Sequence, residues 1–439
     1  MKPYHNKETN YMEFEDFNIN LNNMVLSFAK DNTTNMELNA KQNAMLTAMQ
    51  HKVINDRSII ETLVINPNNV CLGRCVYCYN ENSNNVQSMQ MSKEQFVDAI
   101  TRLKKEYTVG HMKVIRFFGG EPILNPHWDW FISYMYENGL IDTSTDILIS
   151  SGLLFDSTIF LDMVSKLTYL KERYGLSIKV SASVDFGMEP FTRQNIVGVT
   201  QDILVNRVLM LCNHGIPTAF TTNVTHAFDL SLFKKQLKDA YAKFSVDARE
   251  HLFMRVSIVA HDTYTPSAEQ VEALADALVE LQSEYPITTN LFSFDFVLDG
   301  GKITKIDDSH FLIVYYPFYC GMYSQMMEIF PDGSFGACHM DITNKNHVLT
   351  EDNVDYELMF SNECAVCQNR LFCRNGCTNR RKLVSAVDKR KIYCLWMEKC
   401  YMLSWDRIYN KYKKLGVSFK DVVLSRSEKE WESCRKMDC

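Results

Sequence analysis

From Glu61 to Glu284 the chain repeats one pattern: a short apolar, β-rich run followed by a stretch with helical periodicity. The β-rich runs are Glu61–Asn66, Lys113–Phe118, Asp146–Ser150, Ser177–Val184, Pro217–Asn223 and Leu252–Ala260. The helical stretches are Ser92–Tyr107, Trp128–Asn138, Ser157–Arg173, Asp202–His214, Leu230–Tyr241 and Ser267–Glu284. Strands separated by helices of this length are crossover-connected, and crossovers make neighbours parallel. The expected fold class is therefore α/β, with a parallel sheet over 61–285. In such folds the chemistry gathers at the C-terminal ends of the strands.

The first strand runs straight into Cys71-Leu-Gly-Arg-Cys75-Val-Tyr-Cys78. Three thiols within eight residues can converge on one soft metal centre, zinc or iron–sulfur. A closed zinc site wants four ligands, and no fourth Cys or His lies nearby to complete it. Three thiolates on a four-iron cluster leave one iron open to a small molecule. The spacing, with Tyr77 just before the third Cys, resembles the signature of the radical S-adenosylmethionine (SAM) superfamily. The resemblance implies a partial barrel of six β/α units, in which the open iron chelates the amino and carboxylate groups of SAM.

Other strand ends extend the likeness. Gly119-Gly120-Glu121-Pro122 follows the second strand, and its paired glycines allow close backbone approach to a ligand. The resemblance makes Glu121 the partner of the SAM amino group, with Gly119, Gly120 and Tyr77 beside it. Ser150-Ser151-Gly152 stands where the family has Thr-Asn-Gly, and carries little weight without the Asn. On the fourth strand Ser183 and Asp185 are spaced to share one face, offering a hydroxyl and a carboxylate to a ribose or a substrate. Arg193 is a candidate for the SAM carboxylate or a residue of a solvated loop. Asp185 is also a weak catalytic candidate.

Seven further cysteines follow: Cys320, Cys338, Cys364, Cys367, Cys373, Cys377 and Cys394. Two CxxC-like pairs alone would read as a zinc ribbon, but seven thiols exceed one zinc site. With Gly333 set between Cys320 and Cys338, the series resembles the SPASM domain, the C-terminal extension of one branch of radical SAM enzymes. That likeness implies two auxiliary [4Fe-4S] clusters, three in all. Cys364, Cys367, Cys373 and Cys394 would hold one, and Cys320, Cys338 and Cys377 the other, which is one ligand short. Cys400 or a tail Cys would complete it, or one iron stays open. His339 and Asp341 follow Cys338, near the place where sulfatase-maturing relatives keep an Asp as base, and are weak catalytic candidates. Cys212, in an apolar helical stretch, reads as a packing residue.

The remaining segments are expected to be an N-terminal helical extension over 1–60, a linker with a hairpin over 286–319, the SPASM domain over 320–400 and a tail over 401–439. In the linker, Phe292–Val297 and Lys302–Ile306 flank Asp299-Gly-Gly301 as a hairpin would. The first 60 residues show helical periodicity around Met36 to Met49 and no clear strand alternation, a poor fit to a leader-binding module. A separate leader-binding protein would serve instead. The net charge of −7 gives no overall pull toward nucleic acid or anionic membrane. Neither a membrane span nor a signal-peptide pattern is present in the sequence, so a cytoplasmic location is expected.

Members of the SPASM branch mostly act on peptides. The expectation is a peptide maturase: a deoxyadenosyl radical takes hydrogen from a residue of a ribosomally made peptide, installing a thioether or carbon–carbon cross-link. Electrons would come from a flavodoxin- or ferredoxin-type donor. Formylglycine formation of the sulfatase-maturase kind, peptide epimerisation and a non-catalytic iron–sulfur electron carrier are the alternatives. An electron carrier would have no use for Gly119-Gly120-Glu121.

Overall fold

The structure is a computed structural model describing residues 3–31, 36–55, 59–78, 89–189, 192–289, 301–315, 326–336, 338, 362–365, 367–374, 376–377 and 384–428. In chain order the elements begin with β1 (Tyr4–Asn6), β2 (Tyr11–Glu13), β3 (Asn18–Asn20), β4 (Val25–Ser27) and α1 (Met36–Asn55). Then come β5 (Ile60–Ile65), β6 (Gly73–Cys75), α2 (Lys93–Glu106), β7 (Val109–Phe117), α3 (Trp128–Glu137), β8 (Asp146–Ser151), α4 (Ser157–Tyr174) and β9 (Ser177–Ser183). They continue with β10 (Arg193–Asn195), α5 (Gln201–Asn213), β11 (Thr218–Val224), α6 (Leu230–Ala242), α7 (Val246–Glu250), β12 (Leu252–Ile258), α8 (Ala268–Leu281) and β13 (Ile287–Thr289). Last of the strands are β14 (Gly301–Lys305), β15 (His310–Tyr315), β16 (Met326–Ile329) and β17 (Phe335–Gly336).

The six expected strands pair in parallel in the order β5-β7-β8-β9-β11-β12. Helix starts follow from their caps: Ser92 accepts from Gln95 N–H in a capping box, and Asp156 accepts from Thr158 and Ile159 N–H. Register then separates two faces. Leu63, Ile115, Ile147 and Ile178 form a fully or almost fully buried row within the main apolar core. One residue along, the row Val64, Arg116, Leu148, Lys179 points to the opposite, inner face, where Arg116 is exposed. Parallel strands normally carry apolar side chains on both faces. Here the second face is polar and partly open.

The sheet does not stop at the expected boundary near Tyr285. Parallel β13 continues it beyond β12, and parallel β16 joins the other edge against β5, with β17 antiparallel beyond. Residues 326–336, assigned by sequence to the cysteine-rich extension, therefore complete the sheet beside the first strand. Sequence could not show this, because β16 is four residues long and its partner lies over 260 positions upstream.

Both termini also differ from expectation. Helix α1 covers the periodic stretch around Met36, but the residues before it are strands, not a helical extension. β1 to β4 form an antiparallel ribbon that continues through β15 to β14. The strand expected at Lys302–Ile306 is present as β14. Its described partner is β15, through a turn at 306–309; the other proposed hairpin arm, Phe292–Val297, lies outside the described residues. The segment around β14 and β15 is thus part of a sheet and not a linker. His310 ties the sheet together, with Nε2 2.9 Å from Asp31 Oδ1 and Nδ1 2.8 Å from Asp307 Oδ1.

No tail begins at 401. One helix runs from Val387 to Lys414, burying Trp396, Cys400, Tyr401 and Trp405 completely, and a second covers Phe419–Glu428. The aromatic ring of Phe17 packs on Trp405, Tyr409 and Phe419 at centroid distances of 6.0, 5.7 and 5.2 Å. Arg407 donates to the Ile287 carbonyl at 3.0 Å, fastening the long helix to β13. Cys434 and Cys439 lie outside the described residues. Cys212 is 1% exposed within the core, as a packing residue should be. Among the described residues no helix is long and apolar enough to cross a membrane.

Trp405→Ala should cost about 3–5 kcal/mol in denaturant unfolding, the range for emptying a large aromatic site; a change under about 1 kcal/mol would return these residues to the status of a tail. Asp31 raises the His310 pKa, burial opposes, and Asp307 adds to the rise. A raised folded-state value stabilises fully below the unfolded pKa of about 6.5, and that contribution fades as pH climbs through the folded value. His310→Gln should therefore flatten the loss of thermal stability over that window, measured as Tm against pH.

Candidate active site

Cys71, Cys75 and Cys78 follow β5 at the C-terminal edge of the sheet. Their loop is not free. Its short strand β6 pairs antiparallel with β10, matching Cys75 to Arg193 and Gly73 to Asn195. Gly73 N–H points to Cys71 Sγ at 3.3 Å. A Cβ on Gly73 would meet Leu154 Cδ1 at 3.0 Å and stand in ordinary contact with Cys71 Sγ at 3.4 Å and Cys75 Sγ at 3.7 Å, so this position lies between the two sulfurs.

Asp185 anchors the loop from below. Its side chain is fully buried, and φ of +54° turns the chain out of β9, so Asp185 does not continue the strand alternation that Ser183 ends. Oδ2 receives the Tyr77 hydroxyl, the Thr192 hydroxyl at 3.0 Å, and the Arg193 Nε at 2.9 Å as an ion pair. Oδ1 accepts the Asn223 N–H at 2.9 Å. A carboxylate this fully engaged orients its neighbours; the structure gives it no substrate-facing atom. Ser183 is the half-buried last residue of β9.

Arg193 is 9% exposed, so it does not sit on a solvated loop. Its Nη1 lies 3.5 Å from Cys75 Sγ and its guanidinium 5.6 Å from the Tyr77 ring centroid. Burial works against its charge, but Asp185 together with Tyr77, Cys75 and Cys78 outweighs it, so its pKa is raised. Burial pushes the Cys71 thiol up to about 12, with Glu121 adding to the rise, and raises Cys75 against the opposing pull of Arg193. Burial likewise lifts Tyr77 well above the phenol range.

The glycines after β7 do different work from the expected approach to a ligand. They admit the chain itself. Gly119 has φ +119°, and a Cβ there would fall 1.9 Å from Asn66 Oδ1; one on Gly120 would fall 2.4 Å from the Val70 carbonyl oxygen. Gly120 N–H donates to Asn68 O at 3.2 Å, Glu121 N–H to Val70 O at 2.7 Å, and Asn68 Nδ2 to Glu121 O at 2.9 Å. The segment leading into Cys71 is thereby zipped to the segment carrying Glu121. Asn66 and Asn68 gave no local signal of this, since their partners lie some 50 residues away.

Glu121 is 2% exposed. Oε2 accepts Gly152 N–H at 2.8 Å, whereas Oε1 is buried with no partner. Burial raises its pKa to about 7, hydrogen bonds and the charge of Arg193 opposing. A dry, half-satisfied carboxyl beside a cysteine loop fits a missing cationic partner. Among the described residues no three Cys, His, Asp or Glu side chains close on a point as a single metal ion requires. The donor set is of the soft kind that suits an iron–sulfur group, with thiols on the cysteine loop, and the unpartnered oxygen of Glu121 suits a cationic ligand.

The second cysteine group is described in part. Cys367 N–H donates to Cys364 O at 3.2 Å, Cys373 ends the short helix Arg370–Cys373, and Cys377 follows Gly376. Cys394 is exposed on the long helix. Glu398, one turn later on that helix, accepts from Asn369 at 3.0 Å and from His5 at 2.6 Å, drawing it to the Cys364–Cys373 segment and to β1. Cys338 is buried just after β17. Cys320, His339 and Asp341 lie outside the described residues, and Cys400 is buried in the core.

Removing one member of a buried ion pair typically costs about 3–5 kcal/mol. Asp185→Asn should lose stability on that scale and, with Tyr77 and Arg193 released, lower the iron retained after anaerobic reconstitution; wild-type iron and stability together would remove its anchoring role.

A radical SAM superfamily model matches residues 65–230. Among solved structures, native anSMEcpe with bound AdoMet is 17% identical with a TM-score of 0.55, over 81% of this chain and 99% of that chain. The same protein with bound AdoMet and Cp18Cys peptide is 17% identical with a TM-score of 0.52, over 82% and 99%. Streptococcus suis SuiB bound to S-adenosylmethionine is 17% identical with a TM-score of 0.48, over 80% of each chain. At these identities the likeness is one of fold. A comparison with curated proteins finds no match.

Proposed function

We propose, for a chain that carries a radical SAM domain over residues 65–230, that it is a SPASM-type peptide maturase built on a partial barrel. The observation that carries the reading is Glu121: a buried carboxyl with one unpartnered oxygen, close enough to the cysteine loop to raise the Cys71 thiol. Cys71, Cys75 and Cys78 would hold a [4Fe-4S] cluster, and Glu121 would receive the amino group of SAM. Reduced and SAM-loaded, that cluster supplies a deoxyadenosyl radical, which takes hydrogen from an unactivated C–H bond.

The protein's own part is placement. Asp185 holds Tyr77 and Arg193 against the cysteine loop, and Arg193 brings a fixed positive charge to within 3.5 Å of Cys75 Sγ. Gly119 and Gly120 set the distance between the loop and Glu121. Ser183 and Thr221, partners across β9 and β11, offer hydroxyls at the same edge. The inner face of the sheet, polar and partly open at Arg116, would take the peptide.

Auxiliary clusters on Cys364, Cys367, Cys373 and Cys394, and on Cys320, Cys338 and Cys377, would accept the electron left when a cross-link forms. The hydrogen bond from Asn369 to Glu398 supports the first set, because it holds the helix of Cys394 beside the other three. The substrate is a ribosomally made peptide, and the electron donor is of flavodoxin or ferredoxin type.

Anaerobically reconstituted protein should bind about twelve irons and convert SAM to deoxyadenosine and methionine under dithionite. Cys75→Ala should abolish this, and Glu121→Gln should weaken SAM binding by roughly tenfold, one charge-assisted hydrogen bond. Reduced, iron-replete protein that yields no deoxyadenosine would end the proposal.

A further inference from the structure

Glu328 lies on β16, beside β5, and is fully buried. Among the described residues it is the carboxyl whose two oxygens both lack a hydrogen-bond partner. Burial alone pushes its pKa well above the usual carboxylate range. Its cross-strand partners are Val64 on one side and Gly336 on the other. Phe330, two residues on, packs so closely on Gly336 that a Cβ there would lie 2.4 Å from the ring. Arg102 stacks on Phe335, which pairs with Ile329, and so belongs to the opposite face. The cations that share the row of Glu328 are Arg116, two strands away beyond Val64 and exposed, and Lys179, two strands further on.

A carboxyl in such a place weakens the core, where a leucine or methionine would pack without loss. Position gives it a use. Glu328 is the next-to-last residue of β16, at the C-terminal edge where the other strands deliver their functional groups, and its neighbour β5 leads into Cys71. It lies on the polar inner face that also bears Arg116, Ser181, Thr221 and the Lys179–Asp146 ion pair. Lys179 already has its acid; Glu328 is an acid without a base. Two free oxygens side by side match the fork of a guanidinium or the donors of an ammonium group.

We propose that Glu328 is a specificity-determining residue that receives a lysine or arginine side chain of the peptide substrate on the inner face of the sheet, beside the cysteine-bearing strand. The inference rests on the peptide-maturase reading. Pairing in a dry site would discriminate strongly, because a peptide with an apolar residue at that point leaves the carboxyl unmet.

The test is affinity capture of a random-sequence hexapeptide pool on full-length, SAM-loaded protein, read by mass spectrometry, for wild type, Glu328→Gln and Glu328→Leu. Wild type should enrich Lys- or Arg-containing peptides over Leu-containing ones by roughly tenfold, and both variants should lose that preference. Glu328→Leu should melt no lower than wild type, which separates lost recognition from lost folding. Absence of Lys or Arg enrichment by wild type, or the same enrichment by Glu328→Leu, overturns the proposal. Deoxyadenosine formation by wild type in the same preparation tests the underlying reading independently.

Discussion

The buried carboxylate of Asp185 holds the mouth of this protein together. Four groups from three separate stretches of chain converge on its two oxygens: Tyr77 of the cysteine loop, Thr192 and Arg193 of the β10 segment, and the Asn223 amide at the end of β11. A charge removed from water is tolerable only when its lone pairs are filled and an opposite charge is fixed beside it. Both conditions are met, and the result is stiffness where the chain would otherwise be a loop. Thiols spaced three and two apart along a sequence have no fixed arrangement by themselves; strand pairing with β10 and the hold of Asp185 on Tyr77 impose one.

Against that satisfied network stands a second set of groups left wanting. Asn66 Oδ1, Asn68 Oδ1 and Glu121 Oε1 are buried without partners within the loops that Gly119 and Gly120 bring together. Unmet polar atoms are rare in folded proteins and gather where a ligand is expected to supply the missing half. The contrast between Asp185 and Glu121, two buried acids at the ends of β9 and β7 with β8 between them, sorts them by role. One is saturated and structural. The other keeps an oxygen in reserve.

The alternation from β5 to β12 was legible because each parallel strand and crossover helix there is long enough to carry its own period, whereas the short β6, β10 and α7 were not; the cysteine triplet and Gly-Gly-Glu stretch were legible as strings. The purposes of the glycines and of Asp185 were not: the partners of the glycines lie 50 residues away or more, and those of Asp185 are spread from Tyr77 to Asn223, so no local pattern encodes them. The N-terminal ribbon escaped for a different reason. Three-residue strands are too short for alternation to show, and Asn18, Asn20 and Asn23, buried here, read as loop residues. The helix over 387–414 was cut at 400 because its charged residues mask a stripe that includes Trp396, Tyr401 and Trp405.

Phe17 against Trp405, His5 against Glu398 and Asp31 against His310 join the beginning of the chain to its last third. A ribosome releases these partners 279 to 393 residues apart, roughly 15–80 s of synthesis, so the opening residues emerge with Met12, Phe14, Phe17 and Ile19 uncovered and nothing yet made to cover them. The parallel sheet can close on its own neighbours while translation proceeds, whereas the ribbon must wait for the end of the message. Assembly is thus sequential in the middle and simultaneous at the two ends, and the span of unsheltered synthesis is set by the distance between those partners.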